Sequence, residues 1–148
     1  MVITFEKLEP GHFEKVLRWR LENQDAFYGK PFSTIEQYEK WYNDSGKNEH
    51  NFIIMVDDVP IGTISLLNIS NNTAEIGRFM IGEDSYRRKG IGGESVRLLV
   101  QMAHDKFGVD RLRCVIKPDN IAVLKMHEKN GAKVKEIIVE YNYSENGI

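Results

Sequence analysis

The sequence predicts an α/β fold: a mixed, mostly antiparallel sheet flanked by helices, with one central βαβ unit whose two strands are parallel. Three observations carry this. Strand-like runs at 52–56, 61–68 and 74–81 are separated by the turn pairs Asp57-Asp58 and Asn71-Asn72, and connections this short make neighbouring strands antiparallel. From Gly90 to about Phe107 the apolar residues recur at helical spacing. A further strand at 111–116 follows that helix, and a strand–helix–strand crossover sets its two strands parallel. The expected order is β-α-α-β-β-β-α-β-α-β over one domain, 1–148.

Each element has a local cause. Residues 2–8 alternate apolar and polar, a first strand, and Pro10-Gly11 ends it. Residues 12–23 carry Phe13, Val16, Leu17 and Leu21 at helical spacing. Tyr28-Gly29-Lys30-Pro31 reads as a loop. Ser33-Thr34-Ile35-Glu36 has the pattern of a capping box, with Ser33 and Glu36 exchanging hydrogen bonds. It opens a helix to about Tyr42, with Ile35, Tyr38, Trp41 and Tyr42 on its apolar side. The long helix turns Val96, Leu99, Val100 and Ala103 inward, and 111–116 reads as a buried strand. Pro118-Asp119-Asn120 introduces a short helix that stops at Asn130-Gly131, and 133–143 forms a last strand centred on Ile137-Ile138-Val139.

Composition excludes several function classes. The 148 residues are enough to bury a core without a disulfide or metal. Lys and Arg number 20 against 22 Asp and Glu, and a net charge of −2 does not suit general nucleic-acid binding. A lone cysteine, Cys114, excludes an internal disulfide or a cysteine-rich zinc site, and its place in a predicted strand points to packing. His12, His50 and His104 are scattered, so no metal site is expected. No apolar run approaches the roughly 20 residues that span a bilayer. The N-terminus alternates like a strand and lacks a basic leader, so a cytoplasmic location is expected.

The informative segment is Arg87-Arg88-Lys89-Gly90-Ile91-Gly92-Gly93, between a strand and a long helix. A helix N-terminus offers unpaired N–H groups and partial positive charge. Glycines let a phosphate approach the backbone, and cations add attraction. The chemistry is that of a pyrophosphate cradle. The P-loop pattern is absent, and Gly90-Ile91-Gly92-Gly93-Glu94-Ser95 does not complete the dinucleotide fingerprint. The competing reading is a loop whose glycines only let it turn.

Arg87-x-x-Gly90-x-Gly92 resembles the R/Q-x-x-G-x-G/A motif of the GNAT superfamily of acyl-CoA-dependent N-acyltransferases, and the order of elements is similar over nearly the whole chain. The resemblance implies acetyl-CoA as acyl donor, held by the segment Arg87, Arg88, Lys89, Gly90, Ile91, Gly92 and Gly93. It implies that Ile81 pairs with the pantetheine arm, that the Phe79 amide donates to the thioester oxygen, and that Asn120 meets the cofactor.

Transfer to an amine needs a neutral amine, a polarised thioester and a proton for the departing thiolate. By alternation Glu75, Gly77, Phe79 and Ile81 share one strand face. In members of the family a glutamate at the Glu75 position is the general base; the competing reading is a solvated glutamate or an ion-pair partner of Arg78. Gly77 suits a bulge or a close ligand approach. His127 stands where the family has a tyrosine proposed as general acid, and Ala132 stands where it has phenylalanine. The competing reading for His127 is a histidine that only packs.

The first two helices usually shape the family's acceptor pocket. Here they hold Trp19, Arg20, Phe27, Tyr28, Tyr38, Trp41 and Tyr42, of which Trp19, Arg20 and Tyr28 are candidate acceptor contacts. Leu17-Arg18-Trp19-Arg20 resembles acetyltransferases of nucleotide-linked amino sugars, although Leu21 replaces their asparagine, and the run 76–90 is similar to the RimJ/RimL and spermidine branches. Glu22, Asp25, Glu36 and Glu39 keep a polyamine open. The reading is acetyl transfer to a primary amine of a small molecule, with no nucleic acid or membrane partner. The alternatives are a polyamine or protein N-terminal acetyltransferase, or a non-catalytic acyl-CoA-binding module. The family's usual further strand has no counterpart after 143: either that strand is missing, or a second chain supplies an equivalent edge, and an uncovered edge tends to pair, which is compatible with a homodimer.

Overall fold

The computed structural model describes residues 1–24, 32–46 and 48–142. Its elements in chain order are β1 (Ile3–Lys7), α1 (Phe13–Glu22), α2 (Ile35–Asp44), β2 (His50–Val56), β3 (Val59–Ser70), β4 (Thr73–Ile81), α3 (Ile91–Phe107), β5 (Arg111–Cys114) and α4 (Ile121–Lys129). The strands form one sheet in sequence order. β1 to β4 pair antiparallel, and β5 lies parallel to β4, as the βαβ reading requires. The β2–β3 turn works because Asp57 and Asp58 both adopt positive φ, 47° and 67°, which matches the twist of a two-residue hairpin.

The sheet separates two cores. Ile54, Ile64, Leu66 and Ile76 pack against Ile91, Leu99 and Ala103 of α3. Ile53, Met55 and Met80 pack against Phe13, Trp19 and Tyr38 of α1 and α2. At about 25 cal/mol per Å² of apolar surface removed from water, these two faces supply the main drive for folding.

β4 changes face midway. Thr63 pairs with Met80 and Ser65 with Gly77, so β4 carries one residue more than β3 over this stretch. Arg78 takes up the excess at φ 47°, a left-handed conformation uncommon for a non-glycine residue. Before the bulge Ala74 and Ile76 belong to the α3 core; after it Phe79 and Ile81 do, while Met80 belongs to the opposite core. The simple alternation that put Glu75, Gly77, Phe79 and Ile81 on one face is therefore overturned. Glu75 and Gly77 sit beside Leu67 on the α1/α2 side, and Phe79 and Ile81 face α3.

Four further expectations need correction. The α2 capping box lies one residue later: the Gln37 N–H donates to Thr34 Oγ1 at 3.2 Å, and Gln37 Oε1 accepts from the backbone N–H groups of Ser33 and Thr34. Val100 is exposed, and Ser95 takes an inward place, its hydroxyl donating to the Ile91 carbonyl at 2.7 Å. β5 ends at Cys114 and is half-buried, because it has a strand partner on one side only. Residues 133–142 form no strand, although they are rich in β-branched residues, since strand propensity stabilises only a strand with a partner. Tyr28 and its neighbours in the α1–α2 loop lie outside the described residues.

The displaced cap gives a direct test. Thr34→Ala is expected to lower the free energy of unfolding by about 1 kcal/mol. Ser33→Ala, which leaves the backbone donor in place, should stay within about 0.5 kcal/mol of the parent in the same denaturant titration. Equal losses would return the cap to Ser33.

Candidate active site

The bulged strand is half-open. β5 accompanies β4 only from Thr73 to Ile76, and from Gly77 to Ile81 no described strand lies on that side. Where two parallel strands part, one edge of backbone is left to pair with something extended. α3 starts beside this edge. A Cβ on Gly92 would meet Phe79 Cζ at 3.2 Å and Ile81 Cγ1 at 3.8 Å, so glycine lets the first turn of the helix lie against β4. Gly93 performs the same service toward α4, and Asn130 ties the two helices by donating to the Gly93 carbonyl at 3.1 Å.

The start of α3 has the properties of an anion site. Its cap, Gly90, sits at φ 78° and supplies no side-chain acceptor, so the first amides of a 17-residue helix lack that partner. Among the described residues Arg88 and Lys89 are exposed and make no hydrogen bond or ion pair. Arg87 behaves differently. Its Nε donates to the Ile81 carbonyl at 2.9 Å, one terminal nitrogen to Asn23 Oδ1 at 2.8 Å and the other to Asp84 Oδ1 at 3.3 Å. The side chain expected at the phosphates is a latch that joins α1, β4 and the loop. Ile91 is buried in the α3 core.

The opposite face carries a polar network at the bulge. The Thr63 hydroxyl donates to the Arg78 carbonyl at 2.6 Å. The Arg78 guanidinium lies 4.7 Å from the Trp41 ring centroid and donates to Asn51 Oδ1 at 2.7 Å and Glu49 Oε2 at 3.1 Å. Glu75 accepts from Asn68 Nδ2 at 3.2 Å, and no ion pair joins it to Arg78. Asn68, Glu49, Asn48, Asp44 and Trp41 line an open cavity of about 360 Å³. Of this lining only Trp41 stood out in the sequence; Asp44 ends α2, Asn48 lies in the loop before β2 and Asn68 lies in β3, with no pattern to collect them. For the bulge, Gly77 was the available signal.

His127 is 6% exposed on α4, and its Nε2 makes no hydrogen bond among the described residues. Burial lowers its pKa, which favours neutral imidazole. Cys114 is half-buried; burial first and Glu75 second push its thiol up to about 11, so it is an inert thiol.

The other candidates divide. Trp19 is fully buried against Gly82, and its indole N–H donates to Glu83 Oε1 at 3.0 Å, so its ring presents no surface to a ligand. Arg20 is half-buried toward Tyr38, and loss of solvent lowers its pKa. Asn120 caps α4, its Oδ1 accepting from the Val123 N–H at 3.4 Å. No helix among the described residues is long and apolar enough to cross a membrane.

Comparison with known proteins agrees with this geometry. The chain is 31% identical to the probable N-acetyltransferase YjcK of Bacillus subtilis, over 99% of this chain and 88% of that protein. It is 24% identical to the acetyltransferase PseH of Campylobacter jejuni, over 86% and 80% of the two chains. Among solved structures, a domain from Methanocaldococcus jannaschii superposes with a TM-score of 0.80 at 23% identity, covering 91% of this chain and 90% of that one. Spermidine N-acetyltransferase from Vibrio cholerae in complex with CoA and spermine superposes with a TM-score of 0.82 at 16% identity, covering 95% and 86%. The model of the acetyltransferase (GNAT) domain matches residues 3–133. With the domain model matched over most of the chain and a relative 31% identical along nearly all of it, the chain belongs to the GNAT acetyltransferases.

Proposed function

We propose that this N-acetyltransferase acetylates the primary amine of a small polar molecule, a nucleotide-linked amino sugar, with Glu75 as general base. The observation that carries this reading is the bulge, which puts Phe79 and Ile81, at the open edge, on the face opposite Glu75, whose carboxylate accepts from Asn68 of the cavity lining. Acetyl-CoA supplies the acetyl group as a thioester. The uncapped α3 start, with Arg88 and Lys89 unpartnered, suits its pyrophosphate. Backbone groups of Phe79 and Ile81 flank the open edge and would hold the pantetheine arm and the thioester oxygen. Glu75 takes a proton from the acceptor ammonium, directly or through water. His127, as a neutral imidazole, gives a hydrogen bond through Nε2 to the departing thiolate, and the proton the thiolate takes up is the one the acceptor nitrogen loses, passed on through water. Arg20 and Arg78 offer cationic groups to the acceptor's phosphates.

A second reading, a polyamine acceptor, is favoured by Asp44 and Glu49 in the cavity wall. The Vibrio cholerae neighbour holds spermine in its complex. Incubation with acetyl-CoA and a panel of nucleotide amino sugar, spermidine and an N-terminal peptide, with free thiol as readout, separates these readings. No thiol release with any amine would favour an acyl-CoA-binding module of the GNAT fold.

A homodimer is part of the same reading. Ile137, Ile138, Val139 and Tyr141 are each at least 75% exposed, following Glu136, which pairs with Arg113 of β5 at 3.5 Å, and clustered exposed apolar surface tends to be covered. Light scattering should give twice the chain mass; a monomer at micromolar concentration would set this aside.

Two variants separate the donor and acceptor sides. Replacing Arg88 and Lys89 together by alanine removes cations without structural partners. Charge-assisted bonds are worth about 1.5–3 kcal/mol each, so CoA affinity should fall at least about tenfold with an unchanged melting temperature. Glu75→Gln should lower kcat at least about tenfold while CoA affinity holds, since general-base terms are worth about 10²–10⁴. Calorimetry and steady-state rates read both, and wild-type turnover in Glu75→Gln would remove it as the base.

His127 gives a pH test. Its folded pKa is lowered, so across the histidine range the unfolded chain binds more protons, and stability rises with pH. The stabilisation is present above about pH 6.5, the unfolded value, and is lost as pH falls through the folded pKa. The wild-type melting temperature should drop more steeply on acidification than that of His127→Gln. Parallel curves would contradict a neutral buried imidazole.

A further inference from the structure

We infer that Thr63 is a positioning residue for acetyl transfer: its hydroxyl orients the Arg78–Phe79 peptide so that the Phe79 N–H faces the open edge of β4. The inference rests on the reading above, in which that amide donates to the thioester oxygen, and adds what aims it.

The argument is stereochemical. Thr63 lies on β3 on the α1/α2 side, is 7% exposed, and donates from Oγ1 to the Arg78 carbonyl at 2.6 Å. In a trans peptide the C=O and the following N–H point in opposite directions. No cis peptide bond is present among the described residues. A carbonyl held toward Thr63 on β3 therefore turns the Phe79 N–H away from β3. On that side β4 has lost β5, whose pairing stops at Ile76.

The peptide carries Arg78 at φ 47°, a conformation uncommon for an L-residue, and the contacts around it stabilise that conformation. The guanidinium supplies the second hold, clamped between the Trp41 ring, Asn51 and Glu49. Asn51 is in turn held by the Ser65 hydroxyl at 2.6 Å. A carbonyl anchored by Thr63 and a side chain anchored by Asn51 and Glu49 leave the intervening backbone one orientation. Preorganised donors matter because they need not reorganise as charge develops on the oxygen.

The test uses the intact protein, three side chains at one position and three readouts. Thr63→Val keeps shape and removes the donor; Thr63→Ser keeps the donor. Acetyl-CoA labelled with ¹³C at the thioester carbonyl reports hydrogen bonding as a lowered carbonyl stretch on binding. Wild type and Thr63→Ser should show the lowered band, and Thr63→Val should show it at the free-ligand position. In parallel kcat should fall about ten- to hundredfold in Thr63→Val, less than the about 10²–10³ of an oxyanion donor removed outright because the amide is misaimed and not lost, and recover in Thr63→Ser. Affinity for CoA, which lacks the carbonyl, should be equal in all three, which shows that the fold and the cofactor site are intact. A lowered band and wild-type kcat in Thr63→Val would overturn the role of Thr63 and leave the amide reading standing. An unshifted band already in wild type would overturn the amide reading itself. Loss of CoA affinity in both variants would assign Thr63 to the fold rather than to the reaction.

Discussion

One extra residue in β4 sets the relation between the two halves of the site. Without the bulge at Arg78, Phe79 and Ile81 would stay on the face of Glu75, and the strand would carry either the cofactor side or the acceptor side, not both. With it, one strand sends Glu75 and Gly77 toward α1 and α2 and Phe79 and Ile81 toward the start of α3. The switch places an arginine in the left-handed region, and side-chain anchors surround it there. Thr63, Asn51, Glu49 and Trp41 are those anchors, and they come from three other elements and the loop before β2.

The cofactor side depends on a different economy of charge. Three consecutive basic residues precede α3, yet they divide their work. Arg87 is consumed by Ile81, Asn23 and Asp84, and so fixes the distance between the end of β4 and the helix that follows. Arg88 and Lys89 are left exposed, and in the proposed reading they face the anion. Gly92 and Gly93 act mainly through packing: they let α3 approach β4 and α4 closely enough that the helix start lies at the mouth of the open edge. The proposed phosphate-binding loop and a tight helix–strand contact share the same residues.

Much of this was legible in the sequence. The order of elements, the hairpins at Asp57-Asp58 and Asn71-Asn72, the parallel pair and the basic glycine loop follow from local patterns, because turn chemistry and helix caps act over a few residues. The resemblance to the family added the cofactor. What escaped is what depends on partners. Alternation is a rule for regular strands, and the bulge at Arg78 breaks it; Gly77 hinted at irregularity but not at the face reversal. Trp19 read as an acceptor contact because an aromatic residue beside arginine fits a binding site, whereas its burial comes from packing on Gly82, distant in sequence. The apolar residues at 133–143 spelled a strand whose ladder requires an edge long enough to receive it, and β5 offers four residues. The α2 cap moved from Ser33 to Thr34 because both residues are competent and only the backbone geometry chooses.

The division of one strand between two chemistries is most directly tested by backbone and methyl chemical shifts during titration with CoA. Amides of residues 88–93 and the side chains of Phe79 and Ile81 should shift, while Glu75, Asn68 and Trp41, on the other face, should not. Shifts of comparable size on both faces would contradict the account, since they would mean that the bulge does not separate the cofactor side from the acceptor side.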